Sequence, residues 1–317
     1  MVVREILLLL VMFWNVENFF DPFEGNSHGF VQDKFVDTLE KSGEMVKEPF
    51  TPRGEKFWTW KKFSKKRDDI AKSIALVKER YGVFPAVVGL CEVENRFVLQ
   101  QLTQNTILAE LGYSIIHKDS PDSRGIDVAL LYREEKFKPI HTTYIEASFP
   151  TRDVLYTKGV VEGKDTIHIM VNHWPSKRGN ESSSGKKREY VSLMVSRTVD
   201  SILQSSPDAN ILLMGDFNDT PFSAPLQNLG QLTNLAQKAK GAEGTYKYQQ
   251  EWSVIDQILV SENLVKHAGK RMEIFAPEAL LTEDATYMGI KPKRTYSGPR
   301  YLGGVSDHLP VLLQIFK

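Results

Sequence analysis

Short apolar runs alternate with polar stretches along most of the chain, a pattern typical of a protein with many strands and few helices. The runs predict strands at 5–14, 86–91, 113–117, 126–132, 137–145, 153–162, 166–172, 210–215, 254–260, 271–275 and 309–316. Apolar residues at helical spacing predict helices at about 64–81, 95–111 and 186–204. Strands and helices do not alternate one for one, so we expect an α/β protein with two packed mixed β-sheets and the helices outside.

No linker rich in proline, glycine or serine divides the chain, and we therefore expect a single domain over residues 1–317. Three polar segments, 21–63, 175–188 and 276–305, are predicted to be long surface loops. Long loops in a compact domain tend to be functional or mobile.

The N-terminal apolar run has two interpretations. It extends from Ile6 to Trp14 behind Arg4 and is too short to cross a membrane as a helix. No small-residue cleavage site follows it, so we interpret it as a buried first strand, which is compatible with a cytoplasmic protein. The alternative is an export signal merged with the first strand, which predicts a periplasmic or secreted protein.

Charge and cysteine content narrow the function classes. Lys and Arg together number 40, as do Asp and Glu, so the chain does not bind nucleic acid by net positive charge alone. Cys91 is the only cysteine, which excludes an intrachain disulfide and a cysteine-rich zinc site. An enzyme in which a local basic groove faces metal-binding carboxylates remains compatible with this balance.

Two motifs at the ends of predicted strands indicate hydrolytic chemistry. One apolar strand ends in Gly-Asp-Phe-Asn, which presents Asp216 and Asn218 two residues apart on a rigid mount. Gly215 permits a close approach of the backbone to another group. Ser-Asp-His precedes the last strand and offers a metal-binding carboxylate, Asp307, beside the imidazole of His308. Each motif alone also fits an ordinary polar turn.

Four more predicted strands end in, or contain, a polar residue that fits the same chemistry. These residues are Asn15, Glu92, His173 and Asp256. Glu92 is a candidate ligand for Mg²⁺, which prefers one or two carboxylates together with water and phosphate oxygens. Asp256 lies within an apolar run, where a carboxylate needs a partner such as a histidine at the same end of the sheet. Six separate turns are a poor explanation of the whole set, which predicts one site.

The order of these motifs resembles the endonuclease/exonuclease/phosphatase superfamily, which has the DNase I-like fold. The motifs are Trp-Asn-Val-Glu-Asn at 14–18, Leu-Cys-Glu at 90–92, Asn-His-Trp-Pro-Ser at 172–176, Gly-Asp-Phe-Asn at 215–218, Ile-Asp-Gln-Ile-Leu at 255–259 and Ser-Asp-His-Leu-Pro at 306–310. With Phe-Thr-Pro at 50–52 and Trp-Thr-Trp at 58–60, they look most like a bacterial branch of this superfamily. The resemblance implies a four-layered α/β sandwich, with two packed mixed β-sheets flanked by helices and the site at one end.

The resemblance also implies a cofactor, Mg²⁺ or Mn²⁺, and in-line attack of water on phosphorus. By position in the motifs, Asn15 and Glu92 hold or orient the metal, and Asp307 lies near a second metal position. Glu17 matches a position that holds a metal-contacting carboxylate in some members and varies in others, so it is either a metal ligand or a residue that supports one. A metal ion would neutralise phosphate charge and act as a Lewis acid.

Five residues match the positions that carry out hydrolysis in the superfamily. In the implied roles, Asp216 orients or deprotonates the attacking water, and Asn218 bonds the phosphate or the nucleophile. His308, held by Asp256, stabilises the developing negative charge, while His173 bonds a phosphate oxygen or assists the leaving group. These roles fit phosphoryl transfer, in which positioning and electrostatics supply most of the catalysis.

Three residues outside the motifs add hypotheses about the same site. Asp127 is a charged residue within a strand-like run, and we expect it to orient His173. Arg124 either contacts phosphate or lies in an ordinary turn. Arg178 belongs to a basic stretch at 176–188 that follows His173, and we expect it to contact phosphate.

A second basic stretch, 55–67, interleaves lysines with aromatic residues. This combination can hold nucleic-acid phosphates and stack bases. The alternative is that Trp58 and Trp60 form a satellite core while the lysines solvate a helix face. Neither reading distinguishes a nucleic acid from another anionic substrate.

The leading prediction is a nuclease-like phosphodiesterase whose partner is a phosphate ester, with nucleic acid as the first candidate. The alternative is a phosphatase or phosphodiesterase acting on inositol, sugar or sphingolipid phosphates; the sequence shows no extended apolar hairpin, which disfavours a lipid. An inactive binding module is a third hypothesis, against which the presence of every catalytic residue type argues. We also expect a monomer without a transmembrane segment.

Overall fold

A computed structural model describes residues 8–23, 28–31, 34–37, 48–161, 165–177, 181–269 and 271–316. Its strands are, in chain order, β1 (Leu8–Phe19), β2 (His28–Val31), β3 (Lys34–Asp37), β4 (Val87–Val93), β5 (Tyr113–His117), β6 (Asp127–Arg133), β7 (Phe137–Ile145), β8 (Val154–Val161), β9 (Asp165–His173), β10 (Asn210–Asp216), β11 (Thr233–Asn234), β12 (Lys240–Gly241), β13 (Tyr246–Tyr248), β14 (Glu251–Ser253), β15 (Asp256–Val260), β16 (Glu273–Ile274), β17 (Leu281–Glu283), β18 (Ile290–Pro292), β19 (Tyr296–Ser297), β20 (Arg300–Tyr301) and β21 (Val311–Phe316). Its α-helices are α1 (Trp60–Tyr81), α2 (Arg96–Gln104), α3 (Glu181–Ser205), α4 (Ala224–Gln227) and α5 (Glu262–Val265). Short 3₁₀ helices lie at Glu48–Phe50, Ala109–Leu111, Leu235–Lys238 and Glu278–Leu280.

Most of the strands belong to two large sheets. Sheet A has the order β12-β16-β21-β1-β4-β6-β5, and sheet B has the order β11-β15-β10-β9-β8-β7. Both are mixed, since β1 pairs in parallel with β4 and antiparallel with β21, and β10 does the same with β9 and β15. The predicted α/β class with two mixed sheets is therefore confirmed.

The alternation of side chains along β10 shows how the layers are stacked. Leu212 and Met214 belong to the main hydrophobic core, whereas Ile211 and Leu213 belong to a second cluster with Val195 of α3. On the first face, β10 contacts β1 and β4 of sheet A, and α1 contacts β1. The order of layers is thus helix, sheet, sheet, helix, which confirms the four-layered sandwich.

The apolar run at the N-terminus is a strand in the middle of sheet A. β1 pairs with β21 on one side and β4 on the other, and its side chains from Leu10 to Trp14 are fully buried. The strand continues to Phe19, beyond the predicted end at residue 14, and residues 5–7 of the prediction lie outside the described residues. Among the described residues, no helix has the length and apolar character needed to cross a membrane.

Several predicted boundaries were wrong. The helix predicted at 95–111 ends at Gln104, where Asn105 caps it by donating its backbone N–H to the carbonyl of Gln101. A separate 3₁₀ helix follows at Ala109–Leu111 and ends at Gly112, with φ at 62°. Helix α3 begins at Glu181 and occupies part of the predicted loop at 175–188. The other two predicted loops contain the strand pairs β2–β3, β17–β18 and β19–β20, and the first also contains the start of α1.

The strand register brings the polar strand ends to one edge of the two sheets. In sheet B, Asp216 lies opposite His173 of β9 and opposite Asp256 of β15. In sheet A, Asn15 of β1 lies beside the end of β4 that carries Glu92. Because β1 and β10 contact each other, these ends meet on a common surface.

Gly215 occupies a place in sheet B where a side chain does not fit. A Cβ atom there would lie 2.5 Å from the carbonyl oxygen of Asn172. We expect Gly215→Ala to lower the free energy of unfolding by about 1–3 kcal/mol, because β9 and β10 must move apart. Urea denaturation measures the change.

The matched control for this prediction is Gly185→Ala in α3. The nearest atom to its added Cβ would be 3.9 Å away. Alanine should raise stability there by about 0.5–1 kcal/mol, because it favours the helix over the unfolded chain. Equal effects at the two glycines would contradict the prediction.

Candidate active site

Asp216 lies at the centre of the site, at the end of β10. Its Oδ2 atom accepts a 3.0 Å hydrogen bond from Asn15 Nδ2, and its Oδ1 atom accepts a 2.8 Å hydrogen bond from the backbone N–H of Asn218. The Nε2 atoms of His173 and His308 lie 3.8 and 3.9 Å from Oδ2. Burial raises the pKa of Asp216 to about 7. This carboxyl group can therefore exchange a proton near neutral pH, as a general base must.

His308 forms an ion pair with a fully buried carboxylate. Its Nδ1 atom lies 2.8 Å from Asp256 Oδ2. Burial opposes the charged imidazole, but the carboxylates of Asp256 and Asp216 outweigh it and raise the pKa of His308 well above its usual 6.5. The side chain is held as an imidazolium, which can stabilise negative charge.

His173 is buried at the end of β9 and is neutral. Its Nε2 atom lies 3.9 Å from Glu92 Oε1, in addition to its approach to Asp216. Burial, together with the guanidinium groups of Arg152 and Arg124, holds the pKa of His173 well below 6.5. The site thus contains one neutral and one charged imidazole on either side of a single carboxylate.

Asp127 does not orient His173, contrary to the prediction. Its carboxylate accepts a 2.8 Å hydrogen bond from the backbone N–H of Ser120 and lies 3.2 Å from His117 Nε2. The Nδ1 atom of His173 has no hydrogen-bond partner within the described part of the chain. The reason is the topology of sheet A, in which β5 pairs with β6 and ends at His117, so that a nearer imidazole takes the carboxylate.

Glu92 and Asn15 each hold a side-chain oxygen in place at a strand end. Glu92 Oε2 accepts a 2.9 Å hydrogen bond from the backbone N–H of Asn18. Its Oε1 atom makes no hydrogen bond to the described residues and lies 4.0 Å from Arg124. The amide oxygen of Asn15 accepts a 2.9 Å hydrogen bond from the backbone N–H of Glu17, which fixes the side chain. Carboxylate and amide oxygens are hard donors of the kind that Mg²⁺ binds.

Glu17 and Asp307 lie on either side of Arg294. Glu17 Oε2 accepts a 2.7 Å hydrogen bond from the backbone N–H of Thr295, and Asp307 Oδ2 lies 2.9 Å from Arg294 Nη2. Burial, together with the charge of Asp307, raises the pKa of Glu17 to about 7. Glu17 is therefore anchored by a backbone N–H behind the site, and Asp307 already has a cationic partner.

The strand ends that carry the site have an unusual backbone. Glu17, Asn18, Glu92 and Asn218 have positive φ angles, of 48°, 52°, 61° and 51°. Such angles in residues other than glycine cost about 1–3 kcal/mol each. Three of them coincide with a register shift between β1 and β4, and bulges of this kind change the direction in which side chains point.

The arginines predicted to contact phosphate differ in position. Arg124 is partly exposed beside Glu92. Arg178 lies outside the described residues. Arg188, from the same basic stretch, is buried and donates hydrogen bonds of 3.2 Å to both Asp219 Oδ2 and the carbonyl of Pro175. Arg188 therefore holds the loop after β9 instead of facing a substrate.

A sequence model of the Endonuclease/Exonuclease/phosphatase family matches residues 10–317, nearly the whole chain. The chain belongs to this family. Its members are generally phosphoesterase hydrolases, which agrees with a carboxylate and two imidazoles at one sheet edge. A search of the curated proteins finds no match.

Solved structures share the fold of this family member at low sequence identity. Beta toxin 275-280 from Staphylococcus aureus has a TM-score of 0.61 at 16% identity, with 96% of this chain and 99% of that chain covered. The mannosyl-6-phosphatase of Bacteroides thetaiotaomicron has a TM-score of 0.57 at 14% identity, with 97% and 100% covered. Truncated TDP2 from Caenorhabditis elegans has a TM-score of 0.57 at 14% identity, with 98% of each chain covered. At these identities, the likeness shows the fold alone.

In this member of the Endonuclease/Exonuclease/phosphatase family, lysines of the basic stretch at 55–67 hold a loop beside the site. Lys66 is only 1% exposed and donates 2.6 Å hydrogen bonds to Thr295 Oγ1 and to the carbonyl of Val305. The other lysines that donate to this loop are Lys56, to the carbonyl of Gly298, Lys62, to Tyr296 Oη at 3.4 Å, and Lys65, to the carbonyl of Gly303 at 2.9 Å. The expectation that the lysines solvate a helix face was wrong for Lys66.

The two tryptophans of this stretch have different environments. Trp58 is fully buried, and its Nε1 atom donates a 2.8 Å hydrogen bond to the carbonyl of Phe20. Trp60 is 48% exposed at the start of α1 and contacts the rings of Phe23 and Phe63. The satellite-core reading therefore holds for Trp58 and only in part for Trp60.

Sequence reasoning missed Tyr246 and Arg152, which hold catalytic candidates in place. The ring of Tyr246 lies 5.0 Å from that of His308 between centroids, and the two residues form an isolated β-bridge. Arg152 donates a 2.7 Å hydrogen bond to the carbonyl of Trp174, which also accepts a 2.9 Å hydrogen bond from Asn218 Nδ2. Neither residue belongs to a strand-end motif, so the pattern of motifs contained no signal for them.

Proposed function

We propose that this protein is a Mg²⁺- or Mn²⁺-dependent phosphodiesterase that hydrolyses nucleic acid by in-line attack of water. The observation that carries the proposal is the convergence of His173 and His308 on Asp216, with Nε2 atoms 3.8 and 3.9 Å from the same carboxylate oxygen. A base that exchanges a proton near neutral pH between a neutral and a charged imidazole supports hydrolysis of a phosphate ester.

Asn15 and Glu92 are the residues that we propose hold the metal ion. When bound, the ion supplies neutralisation of phosphate charge and Lewis-acid catalysis. Asp307 is paired with Arg294 at 2.9 Å, which supports a role for Asp307 at the rim of the site. We therefore propose one metal ion, with Glu17 behind it as a supporting residue.

The other residues take roles set by their protonation and hydrogen bonds. Asp216 accepts a proton from the attacking water, and the backbone N–H of Asn218 holds the carboxylate for that task. The imidazolium of His308 offsets negative charge that develops on the phosphoryl oxygens. The neutral His173 hydrogen-bonds a phosphate oxygen or the leaving group. Arg124, partly exposed beside Glu92, contacts a further phosphate of an extended substrate.

A phosphatase or phosphodiesterase acting on inositol, sugar or sphingolipid phosphates is the second candidate, and one observation favours a lipid. The hairpin β17–β18 exposes apolar side chains, with Met288 82% and Ile290 51% exposed. Lys247 of β13 donates a 2.8 Å hydrogen bond to the carbonyl of Met288, and β13 also carries Tyr246, beside His308. An apolar part of a substrate would meet this hairpin next to the site.

We further propose that the protein acts as a monomer with a single domain.

One assay panel separates the candidates. The purified protein is incubated with Mg²⁺ or Mn²⁺ and with plasmid DNA, abasic duplex DNA, RNA, phosphoinositides or sphingomyelin. Cleavage of a nucleic acid supports the leading proposal, whereas turnover of the lipid substrates alone replaces it with the second candidate. A folded protein that hydrolyses none of these and binds no divalent metal would refute both enzyme proposals.

Removal of the metal is expected to reduce kcat by at least about 10²-fold, because charge stabilisation by the ion contributes several kcal/mol. The measurement is hydrolysis after treatment with chelator, with circular dichroism as a check of folding. Glu92→Gln should raise the Mn²⁺ concentration needed for half-maximal activity, and Glu79→Gln, at an exposed position of α1, should not. Full activity in excess chelator would contradict the proposed metal dependence.

A further inference from the structure

We infer that Lys66 is a positioning residue for the proposed active site, because its buried ammonium group joins the two segments that carry Arg294 and Asp307. The inference rests on the proposed function. Lys66 points from α1 into the protein, where its Nζ atom donates 2.6 Å hydrogen bonds to Thr295 Oγ1 and to the carbonyl of Val305. These two acceptors are ten residues apart in sequence and belong to different segments.

Each segment leads directly to a residue of the site. Thr295 follows Arg294, and its backbone N–H donates the 2.7 Å hydrogen bond that holds Glu17 Oε2. Val305 lies two residues before Asp307, and its backbone N–H donates a 2.7 Å hydrogen bond to the carbonyl of Lys293. The two segments also bond directly, since Thr295 Oγ1 lies 3.3 Å from the carbonyl oxygens of Gly304 and Val305. What the ammonium group of Lys66 adds is a link from α1 to both segments.

The charge of Lys66 is only partly offset by nearby carboxylates, since burial lowers the pKa of its ammonium group to about 8. Within the described residues, no carboxylate oxygen lies close enough to form an ion pair with Nζ. The favourable charges come at longer range from Glu17, Asp307 and Glu92 of the site and from Asp69 of α1. Burying an ammonium group without an ion pair is costly, whereas methionine would fill similar space without that cost. The structure therefore places a buried cation behind three carboxylates of the site.

The test compares Lys66→Met with Lys72→Met. Lys72 lies on the same helix with its side chain 65% exposed, and its contact is a 4.0 Å approach to Asp69. We expect Lys66→Met to lower kcat by about 10–100-fold with KM unchanged, because small displacements of catalytic groups have effects of this size. Lys72→Met should match the wild type in both constants.

Amide hydrogen exchange gives a second measurement that does not depend on turnover. We expect faster exchange across residues 293–306 in Lys66→Met, and wild-type exchange in Lys72→Met. If the wild-type protein hydrolyses no phosphate ester, the proposed function fails while the exchange experiment still tests the link between the segments.

Two further variants cover the alternatives. Lys66→Ala removes both charge and bulk, so activity lost in Lys66→Ala but retained in Lys66→Met would show that the side chain only fills space and would overturn the inference. A rise in KM with unchanged kcat would also overturn it. Thr295→Val removes one acceptor of Lys66 at nearly constant volume, together with the hydrogen bonds that the Thr295 hydroxyl donates to the carbonyls of Gly304 and Val305. It replaces Lys66→Met should that variant not fold. Wild-type kcat and exchange in a folded Thr295→Val would contradict the proposed role.

Discussion

Asp216→Asn is expected to reduce kcat by about 10²–10⁴-fold while the protein stays folded, the range expected for loss of a general base. The asparagine oxygen can still accept the hydrogen bond from the backbone N–H of Asn218, but it cannot take a proton from water. The measurement is initial rate on the substrate found in the assay panel, at saturating Mg²⁺. Asp208→Asn, at an exposed position just before β10, is the matched control. If kcat of Asp216→Asn stayed within a few-fold of the wild-type value, Asp216 would not be the general base.

The same substitution should make the metal-free protein more stable than wild type at pH 8. Burial raises the pKa of Asp216 from 3.8 to about 7, so between these values the folded state binds a proton more tightly than the unfolded state. Wild-type stability therefore falls as the pH rises through this window. Asparagine does not titrate, so the advantage of the variant should grow between about pH 4 and pH 8. Thermal denaturation in chelator measures it, and a pH-independent difference would show that Asp216 ionises without cost.

The sandwich could be predicted because the physical signal was local and repeated. Apolar runs of strand length, ended by polar residues, mark the longer strands of both sheets. The two-residue edge strands β11 and β12 contain no such run and were not predicted. Asp256 is a residue of the site whose contact could be predicted from the same local pattern. A charged residue inside an apolar run requires a partner, and the expected histidine at the same sheet end is His308, 2.8 Å away.

The position of Lys66 in the sequence indicates that its side chain is buried, although the prediction did not use it. The buried face of α1 runs through positions spaced by three and four residues, and Lys66 lies on it. These positions are Phe63, Lys66, Ile70, Ile74 and Val77. A lysine on the apolar stripe of a helix indicates either a long stem reaching solvent or a buried partner. The interpretation of 55–67 as a nucleic-acid-binding stretch counted its basic residues and did not consider on which face of the helix each one lies.

Arg188 of α3 is a second basic residue whose position on a helix indicates burial. It is buried on the same helix as Val191 and Val195, which pack against sheet B. Its partner Asp219 lies 31 residues further along the chain, in the loop after β10. The spacing on the helix could have marked Arg188 as buried, whereas its partner depends on how α3 sits on the sheet.

Other features of the site had no local signal. The positive φ angles of Glu17 and Glu92 arise where β1 and β4 lose register, and neither residue is a glycine. The pairing of Arg294 with Asp307 joins two segments of a long irregular region. The partner of Asp127 was predicted wrongly for a related reason, since alternation shows that a residue is buried but not which neighbouring strand supplies its contact.

Asp256→Asn is expected to lower kcat by about 10²–10³-fold at pH 8, the loss typical when one electrostatic stabiliser of the transition state is removed. Burial lowers the pKa of His308, and the carboxylate of Asp256 is the principal group that raises it above 6.5. Without that charge, burial dominates, and the imidazole becomes neutral at a lower pH. The variant should therefore recover activity as the pH falls, with its optimum shifted to acid. A pH–rate profile of kcat measures this shift.

The double variant Asp256→Asn with His308→Ala decides whether the two residues act as one unit. If Asp256 works only through His308, adding Asp256→Asn to His308→Ala should cost almost nothing further, because the interaction is already lost. Asp153→Asn is the control. Asp153 is a second buried carboxylate with a cationic partner, since Lys118 Nζ lies 3.2 Å from its Oδ2 atom. This substitution should change stability without moving the pH optimum. Additive losses in the double variant, or an unshifted profile in Asp256→Asn, would contradict the prediction. Asp256 would then support the fold of β15, and the carboxylates of Asp216 and Asp307 would be enough to keep His308 charged.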